Sequence, residues 1–283
     1  MSSSDQAVPV KSKLPKWRIT GRQWIWVVVV FIGIALVMWT YEKFNAGPDS
    51  SHWPTFWPFD AEAGRVLNQP YDPAFDSAPA SDVGGHAETH TFVLRSWLDE
   101  RLPFVPILAI PYLSFLALAP VIVPFINLGV SSFKRFLTEG LALIVSQLVL
   151  NVAYYFFQTE VLRDNAAQGV VAEGGAGGWL VGLVWGKDAP FNGYPSGHVT
   201  WTTITIIALW RLRHVIPKTA WILMGWMLLI YPATVLLRQH YLMDVYAGIF
   251  VGFACYWACM FLVEKPKLVP RGVPPLGEDP LAT

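Results

Sequence analysis

Six stretches of mostly apolar residues run along the chain, separated by polar or turn-rich segments. They cover residues 24–39, 104–128, 136–157, 198–210, 220–237 and 241–263. A helix needs roughly 20 apolar residues to cross a bilayer, and most of these stretches approach that length. Four prolines in the second stretch predict kinks: Pro106, Pro111, Pro120 and Pro124. The pattern predicts an all-α polytopic membrane protein with six transmembrane helices.

Composition supports this class and excludes others. Of the 283 residues, 54% are hydrophobic and only 14% are charged, which is too apolar for an ordinary soluble domain. The net charge is zero, so nothing favours nucleic-acid binding. Cys255 and Cys259 lie in the last apolar stretch and are interpreted as small buried hydrophobes, without disulfide or zinc spacing.

The polar segments predict the organisation of the chain. We expect a cytoplasmic tail, a first transmembrane helix, a long extracytoplasmic loop, a membrane core of five helices and a second cytoplasmic tail. These cover residues 1–22, 23–40, 41–102, 103–263 and 264–283. The long loop either caps a site or is loosely ordered. A second polar loop is expected at 158–192, with a glycine-rich flexible linker at 174–178.

Basic residues predict the orientation. They concentrate at alternate connections: 11–22, 134–135, 211–218 and 265–271. Such connections usually face the cytoplasm, so both termini are expected there. The loops 41–102 and 158–192 and the turn 238–240 then face the other side, with His198 and His240.

The pair His240 and Asp244 is the first candidate for chemistry. At i and i+4 on a helix the two side chains share a face. A carboxylate there would hold one imidazole nitrogen as N–H and leave the other as a nucleophile. The competing interpretation is that the two residues lie in a turn at the membrane interface and pair only with each other, without a catalytic role.

The second candidate is the turn-rich stretch 188–201, which leads into the fourth apolar stretch. Ser196 is a good helix cap, and a helix start holds anions such as phosphate. His198 stands at that start, either as a general acid or as an interfacial cap. Arg163 and Arg238 could each bind phosphate through the guanidinium fork, or could be interfacial arginines that extend to the membrane surface.

Two further sets of polar residues could have a function. Glu139 lies inside the third stretch and should face other protein or water. His86 and His90 lie in the long loop near acidic residues, but their loose spacing does not favour a metal site.

At these residues the chain resembles the type-2 phosphatidic acid phosphatase superfamily, the membrane relatives of vanadium haloperoxidases. Its second motif, Pro-Ser-Gly-His, is complete at 195–198, and the His-x-x-x-Asp ending of its third motif is present at 240–244. Arg163 matches the arginine of the first motif. The resemblance covers roughly residues 98–263 and implies a phosphatidic acid phosphatase type-2/haloperoxidase-like helical core.

The chain departs from the family pattern at several places. Phe156 stands where the first motif has lysine, and Asp164 where it has proline. Ala233 and Thr234 stand where the third motif opens with Ser-Arg, and Arg238 is a candidate substitute. These departures resemble a branch that includes inositol phosphorylceramide synthase and bacterial lipid phosphatases. The segments 188–194, 239–241, 98–99 and 103–104 are similar to that branch as well.

The resemblance implies that His240 attacks phosphorus, Asp244 orients it and His198 protonates the leaving group. Ser196, Gly197, Arg163 and Arg238 would hold the phosphoryl oxygens. No cofactor or metal is expected, and the partners are a lipid phosphate and the bilayer. Water as acceptor gives a phosphatase, and a lipid or sugar hydroxyl gives a phosphotransferase. The alternative is a transporter or scaffold that keeps the fold without the chemistry. The sequence does not identify the lipid or the oligomeric state.

Overall fold

The structure is a computed structural model that describes residues 20–44, 94–157, 159–163, 165–188 and 193–264. Within these ranges it has ten α-helices. In chain order they are α1 (Gly21–Phe44), α2 (Ala109–Ala117), α3 (Val123–Val130), α4 (Phe133–Phe156), α5 (Asn165–Glu173), α6 (Gly175–Lys187), α7 (Gly197–Leu212), α8 (Pro217–Leu228), α9 (Ile230–Leu236) and α10 (Leu242–Glu264). The predicted all-α fold is confirmed.

Some sequence predictions fall outside the described residues. They concern residues 1–19, most of the loop 41–102 with His86 and His90, and the tail after residue 264.

Five helical stretches in the described part of the chain are long and apolar enough to cross a membrane. They are Gly21–Thr40, Pro106–Val130, Phe133–Phe156, Pro217–Leu236 and Leu242–Glu264, and each overlaps a predicted span. The fourth predicted span is α7, which has 16 residues and reaches about 24 Å at 1.5 Å per residue. This is short of a hydrocarbon core of about 30 Å, so the count of six stays a prediction.

The short α7 is the central helix of the bundle. It contacts α4, α8 and α10, and its threonine side chains are buried. Two of those hydroxyls donate within the helix: Thr203 to the Val199 carbonyl and Thr205 to the Trp201 carbonyl, each at 2.8 Å. A helix so enclosed faces protein rather than lipid, which explains why it tolerates several polar residues.

The second predicted span is interrupted, as its prolines predict. A π-helical turn, Leu118–Ile122, separates α2 from α3 and contains Pro120. Proline has no N–H to donate to the preceding turn, and Pro124 removes a second donor one turn later. The interruption lies between the part that carries Tyr112 and the part that carries Asn127.

The expected loop over 158–192 is wrong for much of its length, because α5 and α6 lie there. Val181 and Val184 of α6 are buried in a cluster with Ala109, Tyr112 and Leu237. The glycines expected to form a flexible linker open this helix instead. Their small size allows close approach: a Cβ at Gly178 would lie 2.5 Å from the Val170 carbonyl oxygen. Burial of the apolar face outweighs the low helix propensity of glycine.

Close packing of α10 against α7 holds the core together. A Cβ at Gly248 would lie 2.7 Å from the Ser196 carbonyl oxygen, and one at Gly252 would lie 2.5 Å from that of Thr200. Only glycine lets the two backbones approach so closely. Since α7 begins at Gly197 and α10 at Leu242, this contact fixes the two helix starts beside each other.

The opposite end of the bundle is held by polar contacts. Arg211 donates to both carboxylate oxygens of Glu264, at 2.7 and 2.6 Å, and Thr138 donates to the same carboxylate at 3.0 Å. Glu139 is fully buried and accepts from the Asn127 side chain at 2.9 Å. It faces protein, as the sequence predicts.

Candidate active site

The start of α7 is built as the sequence predicts. Ser196 is the N-cap, and its side-chain oxygen accepts from the Val199 N–H at 3.3 Å. The Tyr154 hydroxyl donates to the Pro195 carbonyl at 2.8 Å, and the Ser196 N–H donates to the Asp244 carbonyl at 3.1 Å. These two bonds tie the Pro-Ser-Gly-His segment to α4 and to the start of α10. Gly197 is the first helical residue and packs near the Tyr154 hydroxyl.

His240 lies just before α10 and is buried, with 7% of its surface exposed. Its Nδ1 is 3.1 Å from the Gly193 carbonyl oxygen and 3.6 Å from Asp244 Oδ2. A carbonyl can only accept, so Nδ1 carries the proton. Nε2 is then the basic nitrogen with a free lone pair.

The carboxylate of Asp244 lies 3.6 Å from His240 Nδ1, which is beyond a good hydrogen bond. The predicted role of Asp244 in orienting His240 stays a prediction. Its Oδ2 accepts from the Tyr241 N–H at 2.8 Å and so closes the turn that carries His240. The nearer acceptor, the Gly193 carbonyl, is not named by the sequence pattern.

His198 faces His240, with ring centroids 6.0 Å apart. The ring stacks on Tyr112 at 4.4 Å and packs against Phe115 at 4.7 Å. Its Nε2 is 3.3 Å from Asp188 Oδ2, and its Nδ1 is 3.3 Å from the Tyr112 hydroxyl oxygen. The two histidines, 42 positions apart in sequence, are thus brought to one place.

Arg163 lies at the same end of the bundle. Its guanidinium donates to the Asp188 backbone carbonyl at 2.6 Å and stacks on the Trp185 ring at 4.6 Å. Burial lowers the pKa of Arg163 to about 10, so the group stays positive at neutral pH. Through Asp188 it adjoins His198, and its predicted binding of phosphate stays a prediction.

Arg238 is directed to the backbone of the segment before α2. It donates to the Asp99 carbonyl at 3.3 Å and to the Leu102 carbonyl at 2.9 Å. Its backbone has φ of 56°, in the left-handed region that few side chains favour. These contacts give Arg238 a role in holding the turn before His240; its predicted binding of phosphate stays a prediction.

Three residues of the site were not singled out as candidates by the sequence: Gly193, Asp188 and Tyr112. Gly193 and Asp188 belong to the stretch 188–194, which pattern alone marks only as a turn-rich lead-in. Tyr112 lies in an apolar span, where a single tyrosine does not indicate a functional residue. Only the packing of α2 against α6 brings it to Asp188.

The fold and the site define a class: an all-helical protein with several candidate membrane spans and a two-histidine site at one end of its bundle. The family model described as the PAP2 superfamily matches residues 140–267. The matched region, which is somewhat less than half of the chain, holds both histidines, Asp244 and Arg163. The superfamily resemblance is confirmed, while the likeness to one branch stays a prediction.

Members of the PAP2 superfamily are generally phosphatases or phosphotransferases, and the match indicates a phosphatase-type function on lipids. No curated protein matched the chain, and neither did any solved structure.

Proposed function

We propose that this protein is an integral membrane phosphatase or phosphotransferase that acts on a phosphorylated lipid through a phosphohistidine at His240. The observation that carries the proposal is the Gly193 carbonyl 3.1 Å from His240 Nδ1. It directs the proton to Nδ1 and leaves Nε2 as the nucleophile. The superfamily match supports the same chemistry.

In the first step Nε2 of His240 attacks phosphorus, and the bond from phosphorus to the leaving oxygen breaks. The leaving oxygen takes a proton from His198. The phosphoryl group is then bonded to His240, whose positive charge is stabilised by Asp244. The ring centroids of His198 and His240 are 6.0 Å apart. His198 is therefore close enough to donate a proton to the leaving oxygen on the side of phosphorus opposite His240.

In the second step an acceptor hydroxyl gives its proton to His198 and attacks phosphorus, and the bond to His240 breaks. Water as acceptor releases phosphate, and a lipid or sugar hydroxyl gives a transferred headgroup. Arg163 and the start of α7 would hold the phosphoryl oxygens, because fixed cations and amides suit the spread charge of this transition state. Ser196 would donate its hydroxyl proton, since its oxygen already accepts from Val199.

We place this site on the extracytoplasmic face, with both termini in the cytoplasm. The basic connections support this orientation. A lipid headgroup at the bilayer surface would then reach the histidines from the side.

The test is phosphate release by the detergent-purified protein in the presence of EDTA. Phosphatidic acid, phosphatidylglycerol phosphate and a polyprenyl diphosphate are the substrates. We expect His240→Ala to lose at least about a thousandfold in rate, since the nucleophile is gone. His214→Ala, at an exposed position outside the site, is the matched control and should keep the wild-type rate.

If no substrate releases phosphate, the transferase reaction is tested with labelled phospholipid and candidate acceptor alcohols. Loss of both reactions would favour the alternative of a transporter or scaffold. Activity of His240→Ala equal to wild type would show that the assigned nucleophile is wrong.

A further inference from the structure

The surroundings of His198 differ from those of His240 in the groups that meet its two ring nitrogens. The Tyr112 hydroxyl donates to Asp188 Oδ2 at 2.8 Å. With its proton directed there, the Tyr112 oxygen faces Nδ1 of His198 as an acceptor, at 3.3 Å. Asp188 Oδ2, also an acceptor, faces Nε2 at 3.3 Å. Two acceptors on two ring nitrogens suit the imidazolium, which is the form with two N–H donors.

Burial makes this pairing necessary for an acid. His198 and Asp188 expose only 11% and 15% of their side chains, and the imidazole lies against Tyr112 and Phe115. Such surroundings disfavour a charged ring, as does any positive charge on His240 nearby. The Asp188 carboxylate acts against both effects. A general acid that must deliver a proton to a leaving oxygen needs such a partner.

We propose that Asp188 and Tyr112 are positioning residues that hold His198 in its proton-donating form for leaving-group departure. The proposal rests on the proposed function for the catalytic role of His198. Asp188 has the larger effect on His198, because its negative charge stabilises the protonated ring. Tyr112 orients both the carboxylate and the ring, and Arg163, which donates to the Asp188 backbone carbonyl at 2.6 Å, fixes the segment.

The first test compares leaving groups. A lipid alkoxide needs a proton to depart, whereas nitrophenolate from p-nitrophenyl phosphate needs almost none. We expect Asp188→Asn to lower kcat on the lipid monoester by about a hundredfold, within the usual range for a general acid. On p-nitrophenyl phosphate the loss should be less than about fivefold. Asp188→Glu should recover part of the lipid rate, and Tyr112→Phe should lose about tenfold. Glu173→Gln, an acid-to-amide change at an exposed residue, should change neither rate.

Equal losses on both substrates would show a merely structural role and overturn the proposal. An unchanged rate would overturn it as well. A faster Asp188→Asn enzyme would overturn it too, because Asp188 would then obstruct the place of the leaving oxygen. The wild-type rate is measured beside the variants. If the proposed function is wrong, the wild-type protein itself will be inactive, which distinguishes that failure from a failure of the present proposal.

A second test does not depend on turnover. Diethyl pyrocarbonate reacts with unprotonated imidazole, and mass spectrometry of the His198 peptide reports the extent of reaction at each pH. The titratable groups that face this ring are Asp188, Tyr112 and His240. Without the Asp188 charge, the midpoint of the reaction should fall by about one pH unit or more relative to wild type. The same midpoint in wild type and Asp188→Asn would overturn the proposal even in an inactive protein.

Discussion

At the scale of single residues, Asp99 caps the helix that follows His240, although the two segments are far apart in sequence. Its Oδ1 accepts from the Leu242 N–H at 2.9 Å, and its Oδ2 accepts from the Ser96 N–H at 2.7 Å. Leu242 is the first residue of α10, so Asp99 caps the helix that follows His240 from 143 positions away in sequence. A carboxylate at a helix start is stabilised by the helix dipole as well as by the hydrogen bond.

Replacement of Asp99 tests this cap. We expect Asp99→Ala to lower the free energy of unfolding by about 1–2 kcal/mol, the usual loss for a removed cap. Asp99→Asn should lose less, because the amide oxygen still accepts. The measurement is the unfolding midpoint in detergent, with Glu173→Ala, a change at an exposed acidic residue, as the control. An equal loss in Glu173→Ala would show that the loss does not come from the cap.

At the scale of elements, the crossing of α7 and α10 decides where the site residues lie. The backbones approach at Gly248 and Gly252, and the first of these lies against Ser196. A displacement of α10 here would move His240 relative to His198. The glycine pair therefore connects stability to site geometry.

Alanine at these glycines makes the connection measurable. Gly252→Ala places a Cβ 2.5 Å from a backbone oxygen, and backbone cannot rotate away as a side chain can. We expect a loss of about 1–3 kcal/mol in stability, typical of overpacking. Gly225→Ala, in α8 with open space around its Cβ, is the matched control. It should be neutral or slightly more stable. Thermal unfolding of both variants checks this, and equal midpoints would contradict the close crossing.

At the scale of the whole molecule, the two ends of the bundle carry different sets of polar residues. One end gathers His198, His240 and Asp244. The other holds the bidentate pair of Arg211 and Glu264. If the basic connections face the cytoplasm, the histidine end faces the other side.

Cysteine labelling tests this orientation. Glu173→Cys and Lys218→Cys each place a thiol at an exposed position, the first in the connection expected outside and the second in one expected in the cytoplasm. In intact cells an impermeant maleimide should label the first but not the second, and lysis should expose both. The wild-type protein is the background control, because Cys255 and Cys259 are buried. If only Lys218→Cys is labelled in intact cells, the orientation is the reverse of the predicted one.

The sequence by itself determined the helical class, the approximate positions of the spans and the Pro-Ser-Gly-His and His-x-x-x-Asp motifs. These features are local: a span is a run of apolar residues, and a helix cap or an i,i+4 pair lies within one or two turns. The sequence also placed Glu139 correctly, because a carboxyl group in an apolar helix has to face protein or water.

Only the tertiary structure decided which groups meet each histidine. The Gly193 carbonyl on His240, the pair of Asp188 and Tyr112 on His198 and the Asp99 cap on α10 all join distant segments. The helix α6 was missed for the same reason, since its glycine-rich sequence has weak helix propensity and burial against α2 stabilises it. The helix α5, which was missed as well, packs on α6. Such contacts depend on how whole helices pack, and the identity of a backbone carbonyl or a lone tyrosine leaves no pattern along the chain.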